Sequence, residues 1–318
     1  MAKNQNSVLG SILATTFALT FFVNAAKGAF PDRPVTYVIP FGVGGESGIA
    51  ARLQQPIFKT ITGQDLVIKY CPGGGVTGSQ LNTMNSDGYT IVGVNLPHIL
   101  LQPLRGAKYK TKDIATAHIF HYTPHALLVR RESHYKNLKD LIATMNTKPG
   151  TVSFSGSGRG RANHLAKAWF DKRLQARSAY QAHKGTAAAM AAMLQEKVDA
   201  SWAYTRAAVR YNDQTRMLAV AMLERHPKFL DVPTFKELGY NFVGGAYRGI
   251  AVPKSTPEEL RLKISNLFKE IGFDPNFEKA KLKIGFMPID IGYEKIPEFL
   301  KTQRWKYLPL AREAGIID

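Results

Sequence analysis

Three short segments of the sequence place glycine, serine and charged residues directly between an apolar run and a helical pattern. They are Phe41–Gly48, Ser155–Arg161 and His183–Thr186. Glycine lets backbone N–H groups approach a bound molecule closely, and the helix that follows adds unpaired N–H donors and the positive end of its dipole. Together these features favour an anion such as a carboxylate. The first segment lies more than 100 residues from the other two, so we expect distant parts of the chain to form one site.

Apolar runs of strand length precede these segments, and helical patterns follow them. The predicted strands are Val35–Pro40, Leu66–Tyr70, Tyr89–Val94, Thr151–Phe154, Ala179–Ala182 and Met217–Met222. An Ala- and Met-rich helix is predicted from Ala187 to Gln195. Strands that alternate with helices predict an α/β fold with open, mostly parallel sheets, in which ligands bind beyond the carboxyl ends of the strands.

The same segments lack the signatures of common enzymes. The Gly42-x-Gly44 pair has Ser47 where a dinucleotide fingerprint has its third glycine, and the sequence contains no Gly-Lys-Ser/Thr of a phosphate-binding loop. Neither Ser155 nor Ser157 has the glycine two residues earlier that a nucleophile elbow requires. We therefore predict that the protein is not an enzyme and binds no cofactor.

Histidines and the single cysteine give no pattern for metal binding. The spacing of His118, His121 and His125 suits neither one helix face nor a paired Cys/His site, and no carboxylate lies close in sequence. We predict no metal site there. The lone Cys71 cannot form an intrachain disulfide, and we assign it no role.

The amino terminus resembles a secretory signal. Lys3 is followed by an apolar run from Val8 to about Ala26 and then by small residues, so residues 1–28 are predicted to be a cleaved signal peptide that exports the protein to the periplasm. An uncleaved membrane anchor remains the alternative, because the run approaches the length that spans a bilayer.

The net charge is +18, but Lys and Arg are spread along the whole chain. Together with export, this distribution argues against nucleic acid as a partner. It leaves two interpretations, a generally basic solvated surface and a field that attracts anions.

Short motifs along essentially the whole mature length carry a family resemblance. They include Arg33-Pro34-Val35, Pro40-Phe41-Gly42, Gly44-Gly45-Glu46-Ser47, Pro72-Gly73-Gly74-Gly75, Asp87-Gly88-Tyr89-Thr90, Ser155-Gly156-Ser157-Gly158, Asn163-His164-Leu165-Ala166, Asp231-Val232-Pro233-Thr234 and Tyr247-Arg248-Gly249-Ile250. In this order and spacing the chain resembles the substrate-binding proteins of tripartite tricarboxylate transporters, also called the Bug family.

The resemblance implies a type II periplasmic-binding-protein fold, in which two α/β lobes joined by a two-strand hinge close like a Venus flytrap on a small carboxylate. Lobe one would comprise residues 30–125 plus 249–318, and lobe two residues 126–248. The crossing strands would lie near 126–129 and 248–251. The implied partners are a small carboxylate ligand and the membrane permease subunits of the transporter, and we expect a monomer.

The residues predicted to bind the ligand come from the three segments and two further positions. They are Phe41, Gly44, Gly45, Glu46, Ser47, Gly48, Asn95, Ser155, Gly156, Ser157, Arg161, His183, Lys184, Gly185, Thr186 and Tyr204.

Several positions depart from what is usual in the family. It usually has Asp at the position of Gly48, Tyr or Phe at that of His183, and small polar residues at those of Arg159 and Arg161. The two arginines would favour a di- or tricarboxylate if they face the cleft. They would have no such effect if they point into solvent.

Two other functions remain open from the sequence. The protein could report its ligand to a membrane signalling partner instead of a permease, or it could be an exported hydrolase, for which no nucleophile, metal or acid pair is visible.

Overall fold

The computed structural model describes residues 30–71 and 79–318. The predicted signal peptide and the Pro72–Gly75 motif lie outside these ranges. Within them, no helix combines the length and apolar character that a membrane crossing requires.

The described chain alternates strands and helices. The strands are β1 (Val35–Ile39), β2 (Leu66–Tyr70), β3 (Thr90–Leu96), β4 (Ile114–Arg130), β5 (Ser153–Gly156), β6 (Ala179–Ala182), β7 (Ala200–Tyr204), β8 (Thr215–Val220), β9 (Gly245–Pro253) and β10 (Met287–Ile291). The helices are α1 (Glu46–Thr62), α2 (His98–Leu101), α3 (Leu138–Thr147), α4 (Ala162–Leu174), α5 (Thr186–Leu194), α6 (Thr205–Arg210), α7 (Glu258–Phe273), α8 (Pro275–Lys283) and α9 (Ile296–Glu313).

One long strand, β4, belongs to two sheets. Its first part pairs with β9 and β10, and through β9 with β3, β1 and β2. Its last part, from His125 onward, pairs with β7 and β8, and through β7 with β5 and β6. The α/β fold is therefore confirmed, but the sheets are mixed. The pairs β1–β2, β1–β3, β5–β6 and β5–β7 are parallel, whereas the pairs made by β4 and β9 are antiparallel.

Each sheet has its own apolar core. In the first, Tyr37, Phe120 and Phe268 pack together between the sheet and helices α1, α7 and α8. In the second, Trp202 stacks on Phe235 with ring centroids 5.6 Å apart, among residues from α3 and α4. Two separate cores are expected when two layered α/β units are joined by a shared strand.

The chain passes between the sheets at two places. On β4 the pairing changes between Pro124 and His125, next to the crossing expected at residues 126–129. The second crossing was expected at residues 248–251, but these residues pair with β3 and β4 inside the first sheet. The return passage lies earlier, at Gly244, whose N–H donates to Ala221 and whose carbonyl accepts from His125. The division into lobes at 125/126 and 248/249 remains a prediction.

Most strands lie where the apolar runs predicted them. Two extend further than expected toward the carboxyl end: β3 continues to Leu96 because Asn95 and Leu96 pair with β9, and β5 continues to Gly156 because Ser155 and Gly156 pair with β6. Strand β8 begins earlier, at Thr215, which pairs with Arg130 of β4.

Candidate functional site

A cavity of about 480 Å³ lies between the two sheets. Its first wall consists of residues 40–47, which are the loop after β1 and the first two residues of α1, and Asn95 and His98 adjoin this wall. The opposite wall comes from the second sheet, with residues that follow β5, β6 and β7. The cavity thus lies beyond the carboxyl ends of parallel strands, where open α/β sheets bind ligands.

Three helices of nine or more residues begin at this cavity without a side-chain cap. The N-cap residues are Gly45 for α1, Arg161 for α4 and Gly185 for α5, and none of them accepts a capping hydrogen bond through its side chain. Away from the cavity, Asn137 caps α3 and Asp274 caps α8, whereas α7 and α9 also begin without a side-chain cap. Uncapped first turns leave N–H donors and a positive dipole end directed toward whatever occupies the cavity. This arrangement suits an anion.

The first loop is fixed by contacts with β3. The hydroxyl of Ser47 donates to the side-chain oxygen of Asn95 at 3.1 Å, and both side chains are buried. Gly44 has a φ of +79°, a conformation that residues with a Cβ rarely adopt. The loop therefore presents its backbone to the cavity at a defined position.

The loop between β5 and α4 is fixed by a buried amide. Asn163, fully buried on α4, accepts hydrogen bonds from the hydroxyl and the N–H of Ser157 and donates to the carbonyl of Ala203 at 3.3 Å. Gly158, with φ of +97°, lies against the side chain of Arg161. These contacts place Ser157 and Arg161 on the cavity wall.

One ion pair lies in the wall where the two sheets meet. Arg248 on β9 is 5% exposed and donates to the carboxylate of Glu46, the first residue of α1, and to the hydroxyl of Thr123 at 2.7 Å. Thr123 also donates to Glu46 at 3.2 Å. Arg248 lies over the ring of Tyr204 at 6.0 Å, and its buried Nε has no hydrogen-bond partner among the described residues.

Cations outnumber acids on the cavity wall. Besides Arg248, it contains Arg161, Lys184, Arg206 and Arg210, and its acid is Glu46. In the described part of the chain, none of these four forms an ion pair with a carboxylate. With Glu46 already bound to Arg248, the cavity keeps a net positive charge.

Burial and neighbouring charges shift the pKa values of two titratable groups on the cavity wall, His98 and Tyr204. Burial lowers the pKa of His98 to about 3, and the positive charges of Arg161, Arg248 and Arg105 act in the same direction, so His98 is neutral at pH 7. Burial raises the pKa of Tyr204 to about 12, with the negative charge of Glu46 adding to the effect. Neither group therefore offsets the positive charge on the wall.

Twelve of the sixteen residues predicted from the sequence line the cavity. They are Phe41, Gly44, Gly45, Glu46, Ser47, Asn95, Ser157, Arg161, Lys184, Gly185, Thr186 and Tyr204. Their role in binding remains a proposal.

The other four predicted residues do not line the cavity, and their contacts lie elsewhere in the fold. Gly48 is buried in α1, where a Cβ would lie 2.7 Å from the ring of Tyr70. The hydroxyl of Ser155 donates to the carbonyl of Ala189 and joins β5 to α5. The carbonyl of Gly156 accepts from the N–H of His183 at 2.9 Å, and the His183 ring does not line the cavity. Arg159 does not line it either.

The sequence-based prediction missed several residues that line the cavity. Arg206 and Arg210 follow Tyr204, and the pattern of a strand end followed by a helix could have identified them. Arg248 was assigned to a hinge strand, and its approach to Glu46 is visible only once β9 is paired with β3 and β4.

The three histidines of β4 lie in separate environments. His118 contacts Ser265 at 3.2 Å and Asp290 at 3.3 Å, His121 stacks on Phe286, and His125 stacks near Tyr204. Among the described residues, no group of three or more His, Cys, Asp or Glu could hold a metal ion.

Comparisons with known proteins agree with this architecture. Protein BugT of Bordetella pertussis is 25% identical over 318 residues, which cover 97% of this chain and 97% of BugT. The structure of the periplasmic binding protein BugD superposes with a TM-score of 0.80 at 24% identity, over 91% of this chain and 99% of BugD. An R. palustris protein solved with adipate gives a TM-score of 0.81 at 22% identity, over 91% of this chain and 99% of its own.

The family comparison covers most of the chain. Residues 49–316 match the family described as the tripartite tricarboxylate transporter family receptor. The resemblance in the sequence motifs and the type II periplasmic-binding-protein fold are both confirmed. The chain belongs to the tripartite tricarboxylate transporter receptor family.

Proposed function

We propose that this protein is a periplasmic solute-binding protein that captures a small di- or tricarboxylate and delivers it to the permease of a tripartite tricarboxylate transporter. The observation that carries the proposal is that the uncapped N-termini of α1, α4 and α5 converge on one cavity with four cations that form no ion pair within the described part of the chain. Each of these features stabilises a carboxylate, and arginine can bind one with two parallel hydrogen bonds.

The architecture fits capture better than catalysis. The cavity hydroxyls of Ser47 and Ser157 are bonded to the side-chain oxygens of Asn95 and Asn163, and not to a histidine that could act as a base. Glu46 is bound to Arg248. We therefore infer that the ligand leaves the cavity chemically unchanged.

Two further lines support the proposal. The family is one of transporter receptors, and the R. palustris neighbour with adipate has this fold around a dicarboxylate. Residues 1–28 have the pattern of a signal peptide, which would bring the mature chain to the periplasm, where such receptors meet their permease.

The test is identification of the bound molecule. The chain without residues 1–28 would be purified without added carboxylates, denatured, and its small-molecule fraction analysed by mass spectrometry. Calorimetric titration with a carboxylate panel would then give affinities, and the recovered ligand would be compared with the one added. We expect a multiply charged carboxylate, recovered intact. A neutral ligand, or conversion of the ligand during incubation, would refute the proposal.

A further inference from the structure

Two cavity arginines lie one helical turn apart on the short helix α6. Arg206 and Arg210 both line the cavity, and their separation of four residues places them on the same face of α6. Arg206 is partly buried and Arg210 is exposed. Burial lowers the pKa of Arg206 despite the opposing effect of Glu46, and the like charge of Arg210 lowers it further. The Arg206 side chain thus gives up part of its hydration without an ion pair in the described part of the chain, and a bound anion would offset that cost.

Helix α6 is held against residues that precede β10. The Thr205 hydroxyl donates to the carbonyl of Gly285 at 2.6 Å, and a Cβ on Gly285 would lie 3.0 Å from the Val209 side chain. Arg210 lies near the ring of Tyr211, 5.4 Å from its centroid. The two arginines therefore extend from a helix in a defined position between β7 and the Gly285 turn.

Arg206 and Arg210 remain available for a ligand because Glu46 is already paired with Arg248. The Glu46 carboxylate, at the start of α1, accepts hydrogen bonds from Arg248 and Thr123 and is therefore already partnered. The first wall then offers the uncapped turn of α1 to one anionic group of a ligand. Across the cavity, α6 offers two guanidinium groups with no ion pair in the described chain.

We propose that Arg206 and Arg210 bind a second anionic group of the ligand and thereby select di- and tricarboxylates over monocarboxylates. This assignment rests on the proposed function and names the residues that set its charge selectivity. The sequence indicates Arg159 and Arg161 for this role. Arg206 and Arg210 take the place of Arg159, which does not line the cavity, and act together with Arg161, which does.

Matched ligands of one chain length test the proposal. Adipate and hexanoate each have six carbons and differ by one carboxylate, and citrate adds a tricarboxylate probe. Calorimetric titrations would use the wild-type protein, Arg206→Gln, Arg210→Gln and the double variant. Arg173→Gln, an exposed position on α4 outside the cavity, is the matched control.

The expected result is a change in selectivity. In the double variant the Kd for the multiply charged ligand should rise about 10- to 100-fold, as expected for loss of hydrogen bonds to charged groups. The Kd for hexanoate should change by less than about 3-fold, and Arg173→Gln should match the wild type. Arg206→Lys, which keeps the charge without the planar fork, should show an intermediate loss. Circular dichroism would check that each variant is folded.

The outcomes separate this assignment from the proposed function. If the wild type binds none of the carboxylates, both fail. If it binds them but does not prefer adipate or citrate over hexanoate, the assignment fails together with the di- or tricarboxylate part of the proposed function, and capture of a carboxylate stands. If the double variant keeps the wild-type preference, only the assignment to Arg206 and Arg210 is overturned. An equal loss for adipate and hexanoate would show a structural role for α6 and would also overturn it.

Discussion

Glu46 and Arg248, 202 residues apart in the chain, form an ion pair in the wall of the cavity. Glu46 begins α1, where the helix dipole favours an acid, and Arg248 lies on β9 beside the point where β4 passes from one sheet to the other. The pair joins the start of α1 to this passage. In the described part of the chain it also leaves the remaining cavity cations without a carboxylate partner.

Replacing Glu46 with Gln should destabilise the ligand-free protein. The change leaves the nearly buried charge of Arg248 without its partner, and we expect the free energy of unfolding to fall by about 3 kcal/mol. An anionic ligand would replace part of the lost interaction, so the stabilisation on adding carboxylate should exceed that of the wild type. Urea unfolding with and without ligand measures both effects. The exposed Glu270→Gln on α7 is the control, and unchanged stability of Glu46→Gln would show that the pair contributes nothing.

The cavity loops were predictable because each is a local pattern of apolar strand, glycine-rich turn and helix. The Phe41–Ser47 loop and the Lys184–Thr186 turn needed no tertiary information. Contacts between distant elements could not be predicted in this way. The approach of Tyr70 to Gly48 depends on the residue-by-residue pairing of β1 with β2, and that of Arg248 to Glu46 depends on the register of β9. The sequence motifs consequently indicated the glycine-rich backbone of the cavity wall but missed most of the cavity's arginines.

Gly249 should tolerate no side chain. A Cβ at this position would lie 2.0 Å from the carbonyl oxygen of His118 on the paired strand β4, and backbone cannot move aside as a flexible side chain can. We expect Gly249→Ala to cost about 3 kcal/mol in urea unfolding. Gly272→Ala on α7 is the control: it meets nothing within 4 Å and should stabilise the protein by up to about 1 kcal/mol through helix propensity. Similar stability of the two variants would contradict this account of the β4–β9 contact.

The stability of the protein should fall below neutral pH, with His121 as one cause. His121 is fully buried, and neither ring nitrogen has a hydrogen-bond partner within residues 30–71 and 79–318. Burial together with the charges of Arg248 and Lys281 holds its pKa well below 6.5. Between that pKa and 6.5 the unfolded chain binds a proton that the folded chain does not. The stability is therefore fully present above pH 6.5 and is lost as the pH falls.

Replacing His121 with Phe should remove the contribution of His121 to the pH dependence of the free energy of unfolding. The dependence of unfolding free energy on pH should become shallower by up to about 1.4 kcal/mol per pH unit below pH 6. The new ring can keep the stacking on Phe286. Urea unfolding at several pH values gives the slope, and His134→Phe, at an exposed position, is the control. A slope equal to that of the wild type would show that His121 takes up its proton at the same pH in the folded protein and in the unfolded chain.

Asn163 should affect both stability and ligand binding, although it does not line the cavity. Its side chain holds Ser157 in place and donates to Ala203, so Asn163→Ala leaves buried polar groups without partners and should cost about 1–3 kcal/mol in unfolding. Because Ser157 lies on the cavity wall beside the start of α4, its displacement should weaken carboxylate binding by about tenfold. Calorimetric titration and urea unfolding of Asn163→Ala measure the two effects, with the exposed Asn276→Ala on α8 as control. Lower stability with unchanged affinity would restrict Asn163 to a structural role and would mean that the ligand does not depend on the position of Ser157.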